Sequence, residues 1–220
     1  MRFFYLGETR ELSIIGHYPQ TMRTKNVGYN VDAFNSERKV KADIFPDFEP
    51  KYGLDLQMGA NATDALDKST LPYGFVVSEK LKKLLMNFML PPHRFYKIDV
   101  YGTDRTYYWF HYITNIWNYI DFENTEIEVI HKFKFEVEEI KTFSSFEEIM
   151  TFKKSLPRQN TIRFGSIKLR NNFPNYDLFE MTGPKYYTLI SNKLKQRFEE
   201  EKITGIGLKE YTKIKLNQKL

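Results

Sequence analysis

The stretch YGFVVSEKLKKLL, residues 73–85, returns in altered form as YYTLISNKLKQRF at residues 186–198. The two align without a gap: Tyr73 with Tyr186, Ser78 with Ser191, and Lys80-Leu81-Lys82 with Lys193-Leu194-Lys195. Each opens on a short apolar run suited to a buried strand. Each then puts a serine where a helix needs an N-cap, its hydroxyl available to an unpaired backbone N–H. In the first copy Leu81, Leu84, Leu85 and Phe88 fall at helical spacing and make one apolar stripe. Pro91 and Pro92 close that copy, and Gly205 with Gly207 punctuates the second. The alignment runs on to Phe95 opposite Leu208, so both copies read strand, capping serine, helix, turn, strand. Leu84 and Phe88 correspond to Arg197 and Glu201, which predicts a more exposed second helix. A strand–helix–strand piece cannot bury its stripe and its strand alone, so both units, 73–100 and 186–211, need wider sheets.

Those sheets are legible outward from the repeat. TYYWFHYI (106–113) is bulky on both sides and predicts a central strand covered on two faces. EIEVIHKFKFEVEEI (126–140) alternates apolar and charged residues, with Ile127, Val129, Phe133, Phe135 and Val137 on one side. That pattern predicts one continuous strand with a dry face and a wet face in an antiparallel sheet. SFEEIMTFKKSLP (145–157) predicts a short helix opened by Ser145 and Glu148 in a capping box. Further strands are expected at Phe3–Leu6, at 161–169 with a bulge at Gly165, and at 176–181. Residues 7–72 carry no long period, and FPDFEP (45–50) and QMGANATDALDK (57–68) read as loops. So long a structureless run is unusual in a compact domain, which points to short strands within it. The expectation is an α+β fold of mostly antiparallel mixed sheets with few short helices. It forms one domain over 1–220, with an irregular portion at 1–72 and the repeat-bearing region at 73–220.

Composition fits that picture. Of 220 residues, 41% are hydrophobic and 28% charged, a balance that supports a packed core. Nineteen Phe and fifteen Tyr make rings the dominant packing material. The absence of Cys excludes disulfides and thiolate metal sites and fits a reducing compartment. MRFFYLGETREL has only four apolar residues in a row before Gly7, short of a secretory h-region. No run approaches the roughly 18 residues needed to cross a bilayer. The expectation is a cytoplasmic protein without a membrane partner. The net charge of +5 is interspersed, and its densest pieces, 79–83 and 213–219, read as solvated surface. No basic arm or stripe marks a nucleic-acid footprint.

No catalytic motif emerges. His17, His93, His111 and His131 stand apart from one another and from any metal-binding spacing. Gly205-Ile206-Gly207 lacks the third glycine of a dinucleotide fingerprint and follows a helix, so it reads as a turn. There is no G-x-S-x-G and no phosphate-binding loop. Catalytic, metal and cofactor residues are therefore none. IDFENTEIE (120–128) gathers Asp121, Glu123, Glu126 and Glu128. These could do acid–base work or meet a basic partner, but an acidic strand with its preceding turn explains them. Trp109, Trp117, Tyr107, Tyr108, Tyr112 and Tyr119 read as core or as a binding face, Trp117 and Tyr119 being the more exposed because they flank a loop.

Several stretches also carry a family resemblance: VVSEKLKKLL…FYKIDV, YYWFHYI, YIDFENTEIEV and DLFEM…YYTLISNKLKQRFEEEKITGIGLKEY. Over about residues 73–211 the chain resembles bacterial immunity proteins of polymorphic-toxin systems, a group of domain-of-unknown-function families. The resemblance implies a protein that binds a cognate toxin and blocks it, with no catalytic residues of its own. Under that reading the candidate partner-binding residues are Trp117, Tyr119, Asp121 and Glu123, where an aromatic strand gives way to an acidic one. The alternatives are a basic nucleic-acid-binding protein and an enzyme of unrecognised type. The sequence is silent on oligomeric state.

Overall fold

The computed structural model describes residues 2–24, 30, 32–67 and 71–215. It is an α+β fold of fourteen strands and four helices among those residues. The first part of the chain forms β1 (Phe3–Glu8), α1 (Leu12–Ile15), β2 (Thr21–Arg23), β3 (Gly53–Leu56), β4 (Ala65–Leu66), β5 (Phe75–Ser78), α2 (Glu79–Leu85) and β6 (His93–Tyr101). The second forms β7 (Tyr107–Tyr112), a 3-10 turn (Ile116–Tyr119), β8 (Glu126–His131), β9 (Val137–Lys141), α3 (Phe146–Ser155), β10 (Asn160–Lys168), β11 (Leu178–Thr182), β12 (Tyr186–Ser191), α4 (Asn192–Glu200), β13 (Ile206–Tyr211) and β14 (Ile214–Lys215). The strands assemble in the orders β2-β3-β6-β7-β5-β4, β11-β12-β1-β13 and β14-β10-β8-β9.

The repeat holds to the level of register. In both copies the capping serine accepts from the backbone N–H three residues on, Leu81 for Ser78 and Leu194 for Ser191. Leu81 and Leu194 occupy equivalent buried sites, 3% and 0% exposed. Ala65 pairs with Val77 and Leu66 with Val76; at the matching positions Leu178 pairs with Ile190 and Phe179 with Leu189. The duplication therefore begins upstream of the similar phrases, at β4 and β11.

It also reaches the first strand. β7 lies between β5 and β6, with Tyr107 opposite Ser78 and Ile98. β1 lies between β12 and β13, with Phe3 opposite Ser191 and Tyr211. Phe3 thus corresponds to Tyr107, and every subsequent pair down to Leu6 and Phe110 matches. At the same spacing α1 falls on the 3-10 turn, and Thr21 of β2 falls on Thr125, which leads into β8. β3 runs parallel to the end of β6 as β10 runs parallel to β14. The chain is two like halves in tandem, about 3–101 and 107–215. Each half lends its first strand to the centre of the other half's sheet.

The packing follows this exchange. Leu81, Leu85, Val77 and Phe110 meet their counterparts Leu194, Phe198, Ile190 and Leu6 in one cluster between the two sheets. Tyr52, Leu54, Leu66, Tyr107 and Trp109 fill the outer face of the first sheet. Phe3, Ile127, Ile162, Phe179 and Leu189 fill the space between the second and third. Both faces of β7 are covered, as its sequence predicts, with Tyr108 alone among its residues half-buried.

One expectation is met and one is corrected. Residues 1–72 hold the short strands expected within their irregular portion, β1 to β4, together with α1 and a 3-10 turn at Glu37–Lys39. These elements are too short, at two to six residues, to show a period. The stretch 126–140 is not one strand but a hairpin. His131 accepts from Phe135 N–H at 2.8 Å and donates to Glu136 O at 3.0 Å, closing a turn in which Phe135 has φ +60°. Phe133 and Phe135 consequently point to solvent, 79% and 78% exposed, and not to a dry face.

Candidate functional site

The 3-10 turn Ile116–Tyr119 carries the sequence-predicted site away from β7 and toward β8. Its Trp117 is half-buried, stacks on Phe146 of α3 with ring centres 4.1 Å apart, and also meets Phe122 and Phe164. Its indole N–H donates to Thr182 Oγ1 at 3.0 Å. Tyr119 packs edge-on against Phe173 at 5.7 Å. Both rings are thus built into the side of the core, although they are more exposed than fully buried Trp109. Asp121 accepts from Asn124 Nδ2 at 2.9 Å, and its backbone N–H bonds Lys168 O. Glu123 projects into solvent at the tip of the turn. The four residues are neighbours in the chain, but only Glu123 is fully open to a partner. Replacing Trp117 would remove core contacts as well as any binding contact.

The two remaining carboxylates of the acidic stretch are held across the sheet. Glu128 pairs with Arg163 at 2.6 Å and Lys213 at 3.6 Å, and Glu126 accepts from Ser166 at 2.6 Å. Glu128 thus makes sheet-face ion pairs and Glu126 a cross-strand hydrogen bond. Among the described residues no group of three or more His, Asp or Glu side chains could hold a metal ion. No helix among them is long and apolar enough to cross a membrane.

Among the described residues two surface clefts stand out. One, of about 330 Å³, lies between α2 and α4 and is lined by Lys80, Lys83, Phe88, Arg197 and Glu201. Its charges are engaged: Lys83 with Glu79, Arg197 with Glu200 and Glu201, and Lys80 with the Glu201 carbonyl. The other, of about 310 Å³, is lined by Tyr5, Glu8, Arg10, Glu180 and Tyr186. Neither is a dry pocket with a few convergent polar groups, the form a small-molecule site takes.

Sequence reasoning missed a further exposed feature, the hairpin of β8 and β9. β9 is the edge of its sheet. Around its turn and along it stand four exposed apolar side chains, Phe133, Phe135, Val137 and Ile140. Glu136, Glu138 and Glu139 are interleaved with them and exposed. Exposed rings beside carboxylates on an open sheet edge can bind another chain by backbone hydrogen bonds, apolar contact and charge together. The signal lay in the alternation of residues 132–140, which reads equally as a strand with a buried face. A scan against protein-family models and a search of curated proteins gave no match to this chain.

Proposed function

We propose that the protein is an immunity protein, which binds a cognate bacterial toxin and neutralises it by direct association without catalysis of its own. One observation carries the reading. In a fold that gathers most of its rings into three clusters, buried or partly buried, the β8–β9 hairpin sets four apolar side chains and three carboxylates in solvent. Exposed rings and aliphatic side chains of this kind are a common material of protein-binding surfaces. The family resemblance over residues 73–211 supports the same reading and names the partner class. Many toxins act on nucleic acids through basic clefts, and carboxylates can complement such a cleft locally although the whole chain carries +5. Protection against a catalytic poison needs a tight complex, and nanomolar affinity corresponds to about −12 kcal/mol.

The experiment is co-expression with a toxin candidate chosen from the genes that flank this one, together with binding measured on the purified pair. Growth is rescued and a nanomolar complex forms if the reading is right. Failure both to bind and to protect removes it for that pair. Steeply salt-dependent binding to DNA or RNA by the isolated protein would favour the nucleic-acid alternative instead.

A further inference from the structure

We infer that residues 41–50 form an acid-released strap: when His111 takes up a proton its ring leaves an aromatic box, and Phe45 and the strap lift from the outer face of the first sheet. The inference is independent of the immunity reading and concerns a conformational device in the first half of the chain.

Three observations lead to it. First, His111 is fully buried in β7, and neither ring nitrogen has a hydrogen-bond partner among the described residues. Phe45, Tyr73, Tyr96 and Trp109 enclose it. The neutral ring leaves two polar atoms unsatisfied there, and the protonated ring would leave a buried charge. The groups facing it are Arg94 and Tyr96 on β6, Tyr73 ahead of β5 and Phe45 in the strap. None is a carboxylate, and Arg94, directly across the ladder, disfavours a second positive charge. The strap's own carboxylates, Asp43, Asp47 and Glu49, are exposed, and Glu49 acts on Tyr96.

Second, two of the strap's three fastenings meet at this ring. Residues 41–50 form no helix or strand, and among the described residues no backbone hydrogen bond ties them to the sheet. Phe45 lies edge-on to His111 at 5.1 Å. Arg94 lies over the Phe45 ring at 5.1 Å and donates to Pro46 O at 2.8 Å. The third fastening is Phe48, packed on the outer cluster. A proton on His111 therefore puts like charges together at the point where the strap is held.

Third, the other half shows that the fold does not require this arrangement. The register that matches Leu6 to Phe110 matches Gly7 to His111, and Gly207, opposite Gly7, to Arg94. The connection from β8 to β10, which answers to that from β2 to β3, contains α3 where the first half has the strap. Histidine, arginine and strap occur together in one half and are replaced together in the other.

Burial and Arg94 hold the enclosed ring's pKa at about 4, against 6.5 for a free one. The closed strap is thus favoured above pH 6.5 and loses ground as pH falls toward 4. Linkage makes the open population about thirtyfold larger at pH 5 than at pH 7.5.

The test uses the absence of Cys from the chain. Val40→Cys places one thiol in the outer cluster beside the strap, and Val129→Cys places one in the core between the second and third sheets. Each full-length variant is labelled with 4,4′-dithiodipyridine at pH 7.5 and pH 5, and its rate is divided by that of free cysteine in the same buffer. The Val40→Cys rate should rise about thirtyfold on acidification while the Val129→Cys rate stays level. Adding His111→Phe to Val40→Cys should abolish the rise; His111→Gln, also uncharged at both pH values, replaces it if the Phe variant does not fold. A level Val40→Cys rate overturns the inference. So does a rise that persists without His111, or an equal rise at Val129→Cys, which would mean that acid loosens the whole fold.

Discussion

His111 is fully buried in the centre of β7, and neither of its ring nitrogens has a hydrogen-bond partner. Phe45, Tyr73, Tyr96 and Trp109 surround it, with ring centres 5.1–6.3 Å away. Burial, assisted by the nearby positive charge of Arg94, pushes its pKa down from 6.5 to about 4. The folded state therefore holds the neutral ring while the unfolded chain takes up a proton. The resulting stability is fully present above about pH 6.5 and is lost as pH falls toward 4. Urea unfolding at pH 7 and pH 4.5 should show the wild type losing up to about 3 kcal/mol more than His111→Phe. Equal losses would mean that this ring is protonated, or paired, in the fold. Phe135 makes the opposite case, since its cost arises in the backbone. Phe135→Gly should raise stability by about 1 kcal/mol by relieving the left-handed conformation, partly offset by glycine's greater unfolded-state entropy. A destabilised Phe135→Gly would show that the ring serves the fold after all.

Caps decide where the helices begin, and two of them do more than cap. Ser191 Oγ accepts from Leu194 N–H and donates to buried Asp177 at 2.6 Å, while Asp177 Oδ2 accepts from Met89 N–H in the other half. Ser78 repeats the arrangement with Asp64 at 2.9 Å, and Asp64 accepts from the Thr204 N–H. Burial alone would raise Asp64, but hydrogen bonds from Thr204 and Ser78 and the Arg105 guanidinium outweigh it and hold the carboxyl below its ordinary value. Ser145, by contrast, caps an exposed turn. Ser191→Ala should cost about 2–3 kcal/mol, because it removes a cap and strips a buried carboxylate of a donor. Ser145→Ala should cost about 1 kcal/mol or less. Chemical denaturation of the two variants checks the order, and equal costs would refute the coupling of cap to carboxylate. Ser78, Ser145 and Ser191 are legible in sequence because a cap is a local event: a hydroxyl followed by an apolar stripe. The carboxylates are not, since Asp64 and Asp177 lie fourteen residues before their serines and find them only through strand pairing. The β8–β9 turn is hidden for a related reason. No Gly, Asn or Pro marks it, and Lys132 to Glu136 keep the alternation of a strand through residues that bend. The alternation therefore puts Phe133 and Phe135 on a dry face in sequence, whereas the turn leaves both rings in solvent. Trp117, expected to be the more exposed, is tied into the core by Phe146, twenty-nine residues on.

The duplicated architecture makes the chain's first strand structurally central. β1 lies between β12 and β13, with Phe3 and Leu6 buried, and β7 fills the same place between β5 and β6. The similar helices announce the repeat because capping and helical spacing preserve its pattern, whereas β1 and β7 share little beyond their rings: FFYLGE against YYWFHY. The exchange is visible only in the register. It carries a consequence for folding. Neither half holds a complete four-stranded unit of its own, since each lacks the strand that the other half lends. A terminal strand is usually dispensable, but one flanked on both sides is not. Removing residues 1–8 should therefore abolish cooperative unfolding, and not merely lower its midpoint. A cut between Thr103 and Asp104, in the exposed loop joining β6 to β7, should by contrast be tolerated when both pieces are present. Residues 1–103 and 104–220 expressed separately should each lack a cooperative transition by circular dichroism. Co-expressed, they should copurify as a one-to-one complex with the far-ultraviolet spectrum of the intact protein, because β1 and β7 then cross between chains as they now cross between halves. A piece that folds alone, or pieces that fail to associate while the nicked intact protein stays folded, would show that the halves are held by something other than exchanged strands.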